Sequence, residues 1–397
     1  MIKKETDPSL EWLISPLSSK EFFNTYWENK VLVLKREQND YWKELLTLEI
    51  IDNAISHLNL KFPEISIVNS NDEIVSGDYL LGDKQIDFLK LYQLFSEGST
   101  IIFNQLQNRI LPLSQLCRAL EKEFSMPFQT NIYLTPPGAQ GFSAHYDTHD
   151  VFVIQVAGSK HWRIYDKPVE YPTSSEPFSS SNHNIGSVTQ EFVLEAGDIA
   201  YIPRGIVHDA TTSKDLSLHI TLGVMSYTWL NLIGEALLQL SVKNPKVRSA
   251  LPVGFANPAF NDKSAKASFR ELLNALQTDE AIDSALSVFS NKFISSRKPI
   301  LSRQLSHIKN SRDFDYNLLI SRRPNILYRL TEDKGAIIIN CHGNTQINFP
   351  VNLKEAVVFA LETDEYSIMD IPGEIDFELK TVLIRQLIRV GLVQFLP

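Results

Sequence analysis

Between Gln129 and Val224 the chain breaks into short runs of β-branched and aromatic residues: "TNIYLTP", "VFVIQVAG", "KHWRIYD", "TQEFVLEAGDIAYIP" and "SLHITLGV". Gly, Pro, Ser and Asp separate them, and this spacing describes an antiparallel sandwich or barrel. The polar stretch 172–187, "PTSSEPFSSSNHNIGS", interrupts the runs and reads as a long surface loop or a lid.

On either side the period changes. From Ser18 to about Leu60 apolar residues recur at helical spacing, with a Val- and Leu-rich strand, "KVLVLKR", between two aromatic helical stretches. "SEGSTIIFNQLQNRILPLSQLCRALEKEF" reads as a strand followed by a helix from Leu113 to Phe124, with Ser114 as its cap. Beyond Val224 three helices are expected, in "YTWLNLIGEALLQLSV", "AKASFRELLNALQ" and "DEAIDSALSVFSNKFISS". Their Leu, Ile and Trp faces exceed what a small sheet can bury, so a homodimer interface is expected to cover them. From Pro299, strands near "AIIIN" and "TQINF", helices in "LKEAVVFAL" and "EIDFELKTVLIRQLIRVG" and a terminal "LVQFLP" follow in the order of a winged helix. A chain of 397 residues holds two or three domains, and the division expected is 1–225, 226–298 and 299–397.

Composition excludes several partners. The formal charge is −9, so a polyanion meets no global attraction. From Pro299 onward eleven Lys or Arg face twelve Asp or Glu, without the basic excess of a nucleic-acid surface. A scaffold or substrate-docking role is expected there instead. Cys117 and Cys341 lie far apart, with neither zinc-finger nor disulfide spacing. The opening "MIKKETDPSLEWLISPLSSKEFF" lacks the apolar core of a signal peptide, and no run approaches the roughly 18 apolar residues of a membrane span. The expectation is a soluble protein of a reducing cytoplasm.

The chemistry concentrates in "GFSAHYDTHDVFVIQVAGSKHWRIYD", residues 141–166, which holds three histidines and three aspartates. In an extended strand alternate residues share a face, so His145 and Asp147 reach toward one ion. His149 has the same parity but lies about 13 Å from His145, at a rise of about 3.3 Å per residue, and Asp150 has the opposite parity. An HxD pair alone is weak evidence. Further downstream, "GDIAYIPRGIVH" has the G-x5-P-x-G-x2-H spacing and delivers His208 with inward parity.

That spacing, through Gly197, Pro203, Gly205 and His208, resembles the later metal-binding motif of the cupin superfamily. The earlier cupin motif normally reads HxH followed by Glu, whereas this chain has His145-x-Asp147 and no such Glu. Two histidines and one carboxylate form a facial triad, which leaves positions on Fe(II) for a bidentate cosubstrate and O2. A 2-oxoglutarate cosubstrate then needs a cation for its far carboxylate. Lys160 follows a Gly158-Ser159 turn that reads as a hairpin; alone it would be a solvated turn lysine, and beside a triad it becomes that countercharge.

As a whole, "NIYLTPPGAQGFSAHYDTHDVFVIQVAGSKHWRIY" resembles the JmjC-type 2-oxoglutarate oxygenases, and within them the ribosomal oxygenase subgroup. The resemblance implies a double-stranded β-helix, a jelly-roll of the cupin type, followed by a helical dimerisation block and a winged-helix-like domain. It implies iron ligands at His145, Asp147 and His208, a cosubstrate-binding base at Lys160, and upstream cosubstrate contacts at Asn131 and Tyr133. The implied reaction hydroxylates a C–H bond while 2-oxoglutarate is decarboxylated to succinate and CO2. The implied substrate is an arginine or histidine side chain of a ribosomal protein; a small metabolite or a ribosomally made peptide stands as the alternative. A non-catalytic cupin ligand-binding module is the reading from a different class.

The remaining residues carry plainer expectations. His161, opposite in parity to Lys160, should point outward, and His183 in the polar loop should be solvated. Trp162, Phe152 and Ile154 should be core. His219 shares a face with Ser217 and Thr221 and is expected opposite His208 across a hairpin turning near Lys214, as either core or cofactor-binding. His149 has no role.

Overall fold

The computed structural model describes residues 8–70, 72–183, 185–312 and 318–396. The chain divides into two compact units, Met1–Ser226 and Tyr227–Pro397.

The first unit opens with short helices and edge strands: α1 (Leu10–Ile14), α2 (Ser19–Thr25), β1 (Leu32–Leu34), α3 (Leu48–His57), β2 (Ile65–Val68), α4 (Phe88–Ser96) and β3 (Thr100–Asn104). Ser9, Ser18, Thr47 and Asp87 cap α1 to α4 through their side-chain oxygens, supplying acceptors that the first turn of a helix lacks. Next comes α5 (Leu111–Phe124), then β4 (Phe128–Thr135), β5 (Asp150–Ala157), β6 (Ser159–Ile164), β7 (Gln190–Glu195), β8 (Ile199–Ile202), β9 (His208–Thr212) and β10 (Ser217–Val224). Helix α5 starts two residues earlier than expected. Pro112 in its first turn needs no N–H partner, and Ser114, expected as the cap, instead donates to the carbonyls of Gln107 and Ile110.

Two antiparallel sheets face each other. One has seven strands in the order β1-β8-β5-β10-β4-β3-β2, the other three in the order β7-β6-β9. The run "VFVIQV" is buried on both sides, and its parity sorts two cores. Phe152 and Ile154 pack with Phe22, Tyr201, Ile220 and the amino-terminal helices, while Val151 and Val153 pack with Trp162, Ile164 and Leu194 between the sheets. All three expected core residues are buried, but Phe152 and Ile154 lie on the helix-covered face and not in the sandwich interior.

Two connections expected as hairpins instead cross between sheets. β5 and β6 do not pair, and Gly158 joins them with φ +63°, where a Cβ would sit 1.8 Å from the carbonyl oxygen of Leu216. Only glycine meets both demands. β9 and β10 also belong to different sheets, so 213–216 is a crossover and His219 is not opposed to His208 in a ladder. A tight turn marks a change of direction, and sheet membership is decided by burial on both faces.

In the second unit α6 (Trp229–Lys243), α7 (Lys263–Leu276) and α8 (Asp279–Ser295) fall where helices were expected. α6 leaves Trp229, Leu230, Ile233, Leu238 and Val242 exposed. α9 (Gln304–Asn310) leads to β11 (Leu319–Arg322), β12 (Tyr328–Asp333), β13 (Ala336–Cys341), β14 (Thr345–Pro350), α10 (Lys354–Glu362), β15 (Tyr366–Ser367), α11 (Phe377–Arg389) and β16 (Val393–Phe395). β12-β13-β14 form one small antiparallel sheet and β15-β11-β16 another, with α10 and α11 packed on a core that includes Ile320, Leu383, Leu387 and Val393. Among the described residues no helix is long and apolar enough to cross a membrane.

Candidate metal centre

His145 and Asp147 lie in the irregular segment between β4 and β5, not in the full strand expected. An antiparallel bridge holds it: the N–H of His145 donates to the His208 carbonyl at 3.1 Å, and that of His208 returns a bond to the His145 carbonyl at 2.8 Å. The Gly205 N–H adds a third tie, to the Asp147 carbonyl at 3.0 Å. Extended geometry at one residue suffices to turn both side chains to the same side.

The imidazoles are oriented alike. His145 Nδ1 donates to the Ser143 carbonyl at 2.8 Å and His208 Nδ1 to the Ile206 carbonyl at 3.0 Å, each two residues back. A carbonyl only accepts, so each Nδ1 carries a proton and each Nε2 is the ring atom left to meet a ligand. Burial and the neighbouring His145 hold His208 well below the ordinary histidine range, as a neutral donor. One donor atom each from His145, Asp147 and His208 lies within 4.8 Å of the others, and His208 Nε2 stands 3.8 Å from Asp147 Oδ2. The set fits an octahedral divalent metal bound on one face. Asp147 and His208 are too far apart to bond directly, which is the separation an intervening ion needs.

The same cavity extends from these three residues to Lys160, past Tyr133, Trp162, His219 and Thr221. Lys160 is 4% exposed, and its Nζ donates to Thr135 Oγ1 at 3.2 Å. No carboxylate of the described residues pairs with it, and burial alone pushes its pKa down to about 7. Tyr133 and His219, cross-strand partners on β4 and β10, stack with ring centroids 4.8 Å apart and planes within 4°. Burial, and then Lys160, depress the His219 pKa, and its Nδ1 is buried without a partner. Trp162 Nε1 is likewise unpartnered. Buried polar atoms left open around a cavity imply a polar occupant. Asn131 stands behind Tyr133, bonding to its hydroxyl and accepting from the Gln105 N–H at 3.4 Å, outside the cavity lining.

Other histidines and aspartates have local explanations. His161 points outward and meets Glu191 at 3.0 Å. Trp162 separates His208 from His219, with its ring 5.9 Å from one and 5.8 Å from the other. His183 departs from expectation: half-buried, it stacks on Phe178, and both pack against Tyr146, whose hydroxyl donates to the Glu176 carbonyl at 3.0 Å. The polar loop is thus tied to the residue between His145 and Asp147. His149 lies over Gly223, where a Cβ would come within 2.6 Å of its ring. Phe142, between the rings of Tyr133 and His145, and Thr135 were missed. Parity along β4, two residues beyond Tyr133, was the available signal for Thr135.

The JmjC domain family matches residues 104–232, the stretch that carries all of these groups. That stretch is similar to a JmjC domain. The bifunctional lysine-specific demethylase and histidyl-hydroxylase NO66 of Drosophila erecta is 29% identical over 385 residues, covering 86% of this chain and 57% of that protein. NO66 of Dictyostelium discoideum is 35% identical over 241 residues, covering 59% of this chain and 46% of its own length. The chain thus spans about half the length of the curated relatives it matches. A structure of YcfD, a ribosomal oxygenase from Escherichia coli, in complex with cobalt and 2-oxoglutarate, aligns with a TM-score of 0.57 at 16% identity, over 96% of this chain and 99% of that one. The fold is therefore similar to that of YcfD.

Proposed function

We propose that the protein is an Fe(II)- and 2-oxoglutarate-dependent hydroxylase of a protein side chain, an arginine or histidine of a ribosomal protein. The observation that carries this reading is Lys160, a buried ammonium with no carboxylate partner among the described residues, in one cavity with His145, Asp147 and His208. A lysine is rarely buried without an anion. A metal alone does not call for one, whereas a dicarboxylate that chelates a metal at one end does.

In this reading His145, Asp147 and His208 hold Fe(II), and Lys160 holds the far carboxylate of 2-oxoglutarate. Bound iron, with O2, supplies the oxidation of a C–H bond, coupled to release of succinate and CO2. The protein's share is positional. The Ser143 and Ile206 carbonyls fix the imidazoles, the Tyr133–His219 stack forms a wall for the cosubstrate, and Asn131 steadies Tyr133. Trp162 and the valines of β5 exclude water. The relatives named as hydroxylases and as ribosomal oxygenases support the reaction class and the ribosomal substrate.

The same reading keeps 1–225 as catalytic domain, 226–298 as a homodimerisation block and 299–397 as a winged-helix-like segment for substrate docking. The apolar side chains exposed along α6 support the homodimer. Two free, buried cysteines agree with a cytoplasmic setting. Succinate formed from 2-oxoglutarate with Fe(II), measured against His145→Ala and Lys160→Ala, tests the activity; absence of iron-dependent turnover sinks it. A 16 Da increment on a ribosomal protein, present only in cells that have the gene, tests the substrate. If no ribosomal protein carries the increment, a metabolite or peptide substrate takes its place.

A further inference from the structure

We propose that Thr100 is a second group holding the far carboxylate of the cosubstrate, linked to Lys160 through Thr135. The inference rests on the 2-oxoglutarate reading above. Thr100 begins β3, which reaches the site only because β3 pairs with β4. It is fully buried, yet lines the cavity together with Lys160. Its Oγ1 donates to Thr135 Oγ1 at 3.1 Å, and the same Thr135 oxygen accepts from Lys160 Nζ at 3.2 Å.

Two donors thus converge on Thr135, whose own proton meets no acceptor among the described residues. Hydroxyl protons rotate to suit their surroundings. Turning these two reverses one link: Lys160 donates to Thr135, Thr135 to Thr100, and Thr100 to an acceptor in the cavity. Each bond in such a chain polarises the next, and a carboxylate drawn to Lys160 is the acceptor that makes this direction favourable. Gly141 leaves room for the rotation, since a Cβ there would lie 3.0 Å from Thr100 Oγ1.

The test compares binding of 2-oxoglutarate and 2-oxopentanoate to the whole chain loaded with Mn(II), by calorimetry. The second acid keeps the chelating end and carries a methyl group where the far carboxylate would be. Thr100→Val is expected to weaken 2-oxoglutarate binding about tenfold, as for a lost hydrogen bond to a charged group, and to leave 2-oxopentanoate unchanged. Thr100→Ser should restore the affinity. Gly141→Ala, which crowds the hydroxyl without removing it, should give the same selective loss and serves if Thr100→Val does not fold. Equal losses for both acids, or none, overturn the role of Thr100 and leave the oxygenase reading standing. Failure of the unaltered chain to bind either acid overturns both.

Discussion

Asp147 and Asp150 are three residues apart and have opposite fates. Asp150 is fully buried on the helix-covered side of the large sheet, where it accepts from the Tyr201 hydroxyl at 2.8 Å, the Arg204 N–H at 3.3 Å, the Arg204 guanidinium at 3.0 Å and Ser226 at 3.2 Å. Arg204 completes the cluster by pairing with Glu28. On the cavity side, Asp147 faces His208 across 3.8 Å, and Lys160 has one hydroxyl for company. A satisfied buried charge is architecture, because every lone pair already has its donor. An unsatisfied one marks a place kept for something else. The same segment builds both.

The sharpest way to break this comparison is to remove a group from each side. His145→Ala or Asp147→Ala should reduce iron-dependent succinate formation by at least about a hundredfold, since even loss of a ligand's supporting partner costs 10- to 100-fold. Thermal stability of the metal-free protein should hardly move. Asp150→Ala should do the reverse. It strands Arg204 beside Glu28 alone and is expected to cost about 3–5 kcal/mol in denaturant unfolding, while turnover per folded molecule persists. A variant at Asp150 that stays folded but loses turnover would dissolve the distinction.

Lys160→Met should show both effects at once. It should weaken 2-oxoglutarate binding about a hundredfold, as removal of a charged, desolvated partner does. It should also raise the melting temperature of the ligand-free protein by several degrees, because the buried ammonium opposes folding. The sign in pH follows. With Lys160 pushed down to about 7 from an ordinary 10.5, the unfolded chain binds the extra proton between those values. Stability therefore rises with pH through that window and stays level at its lowest below it, the reverse of a lysine that has gained a partner. Affinity for 2-oxoglutarate should decline as pH climbs past 7. Melting curves and binding titrations from pH 6 to 9 read both slopes, and Lys160→Met should flatten them.

Period-2 alternation was enough to separate Lys160 and Trp162, which face the cavity, from His161, which does not. It also aligned His145 with Asp147, although their segment keeps extended geometry at one bridge. Connectivity was not legible. A Gly-Ser turn looks the same whether the next strand pairs with the last or joins the opposite sheet, so the sequence pattern alone reads as a hairpin at both β5–β6 and β9–β10. Contacts made by distant strands are equally hidden: Thr100 reaches Thr135, the partner of Lys160, through β3–β4 pairing, and His149 needs Gly223 on β10 to make room for its ring. The tie between His183 and Tyr146 was missed because a polar loop was equated with a solvated one.

The smallest expected effect is the strictest control on strand parity. His161 neighbours Lys160 on β6, lies half in solvent and pairs with Glu191 at 3.0 Å. Exposed pairs contribute little, so His161→Ala should change stability by less than about 1 kcal/mol and leave 2-oxoglutarate affinity within error. The register Lys160↔Thr212 and His161↔Thr211 against β9 is what turns one side chain inward and its neighbour outward. A slip of one residue would exchange them. Calorimetry on His161→Ala therefore reads the register directly: a loss of cosubstrate affinity like that of Lys160→Met would mean that the histidine, not the lysine, faces the cavity.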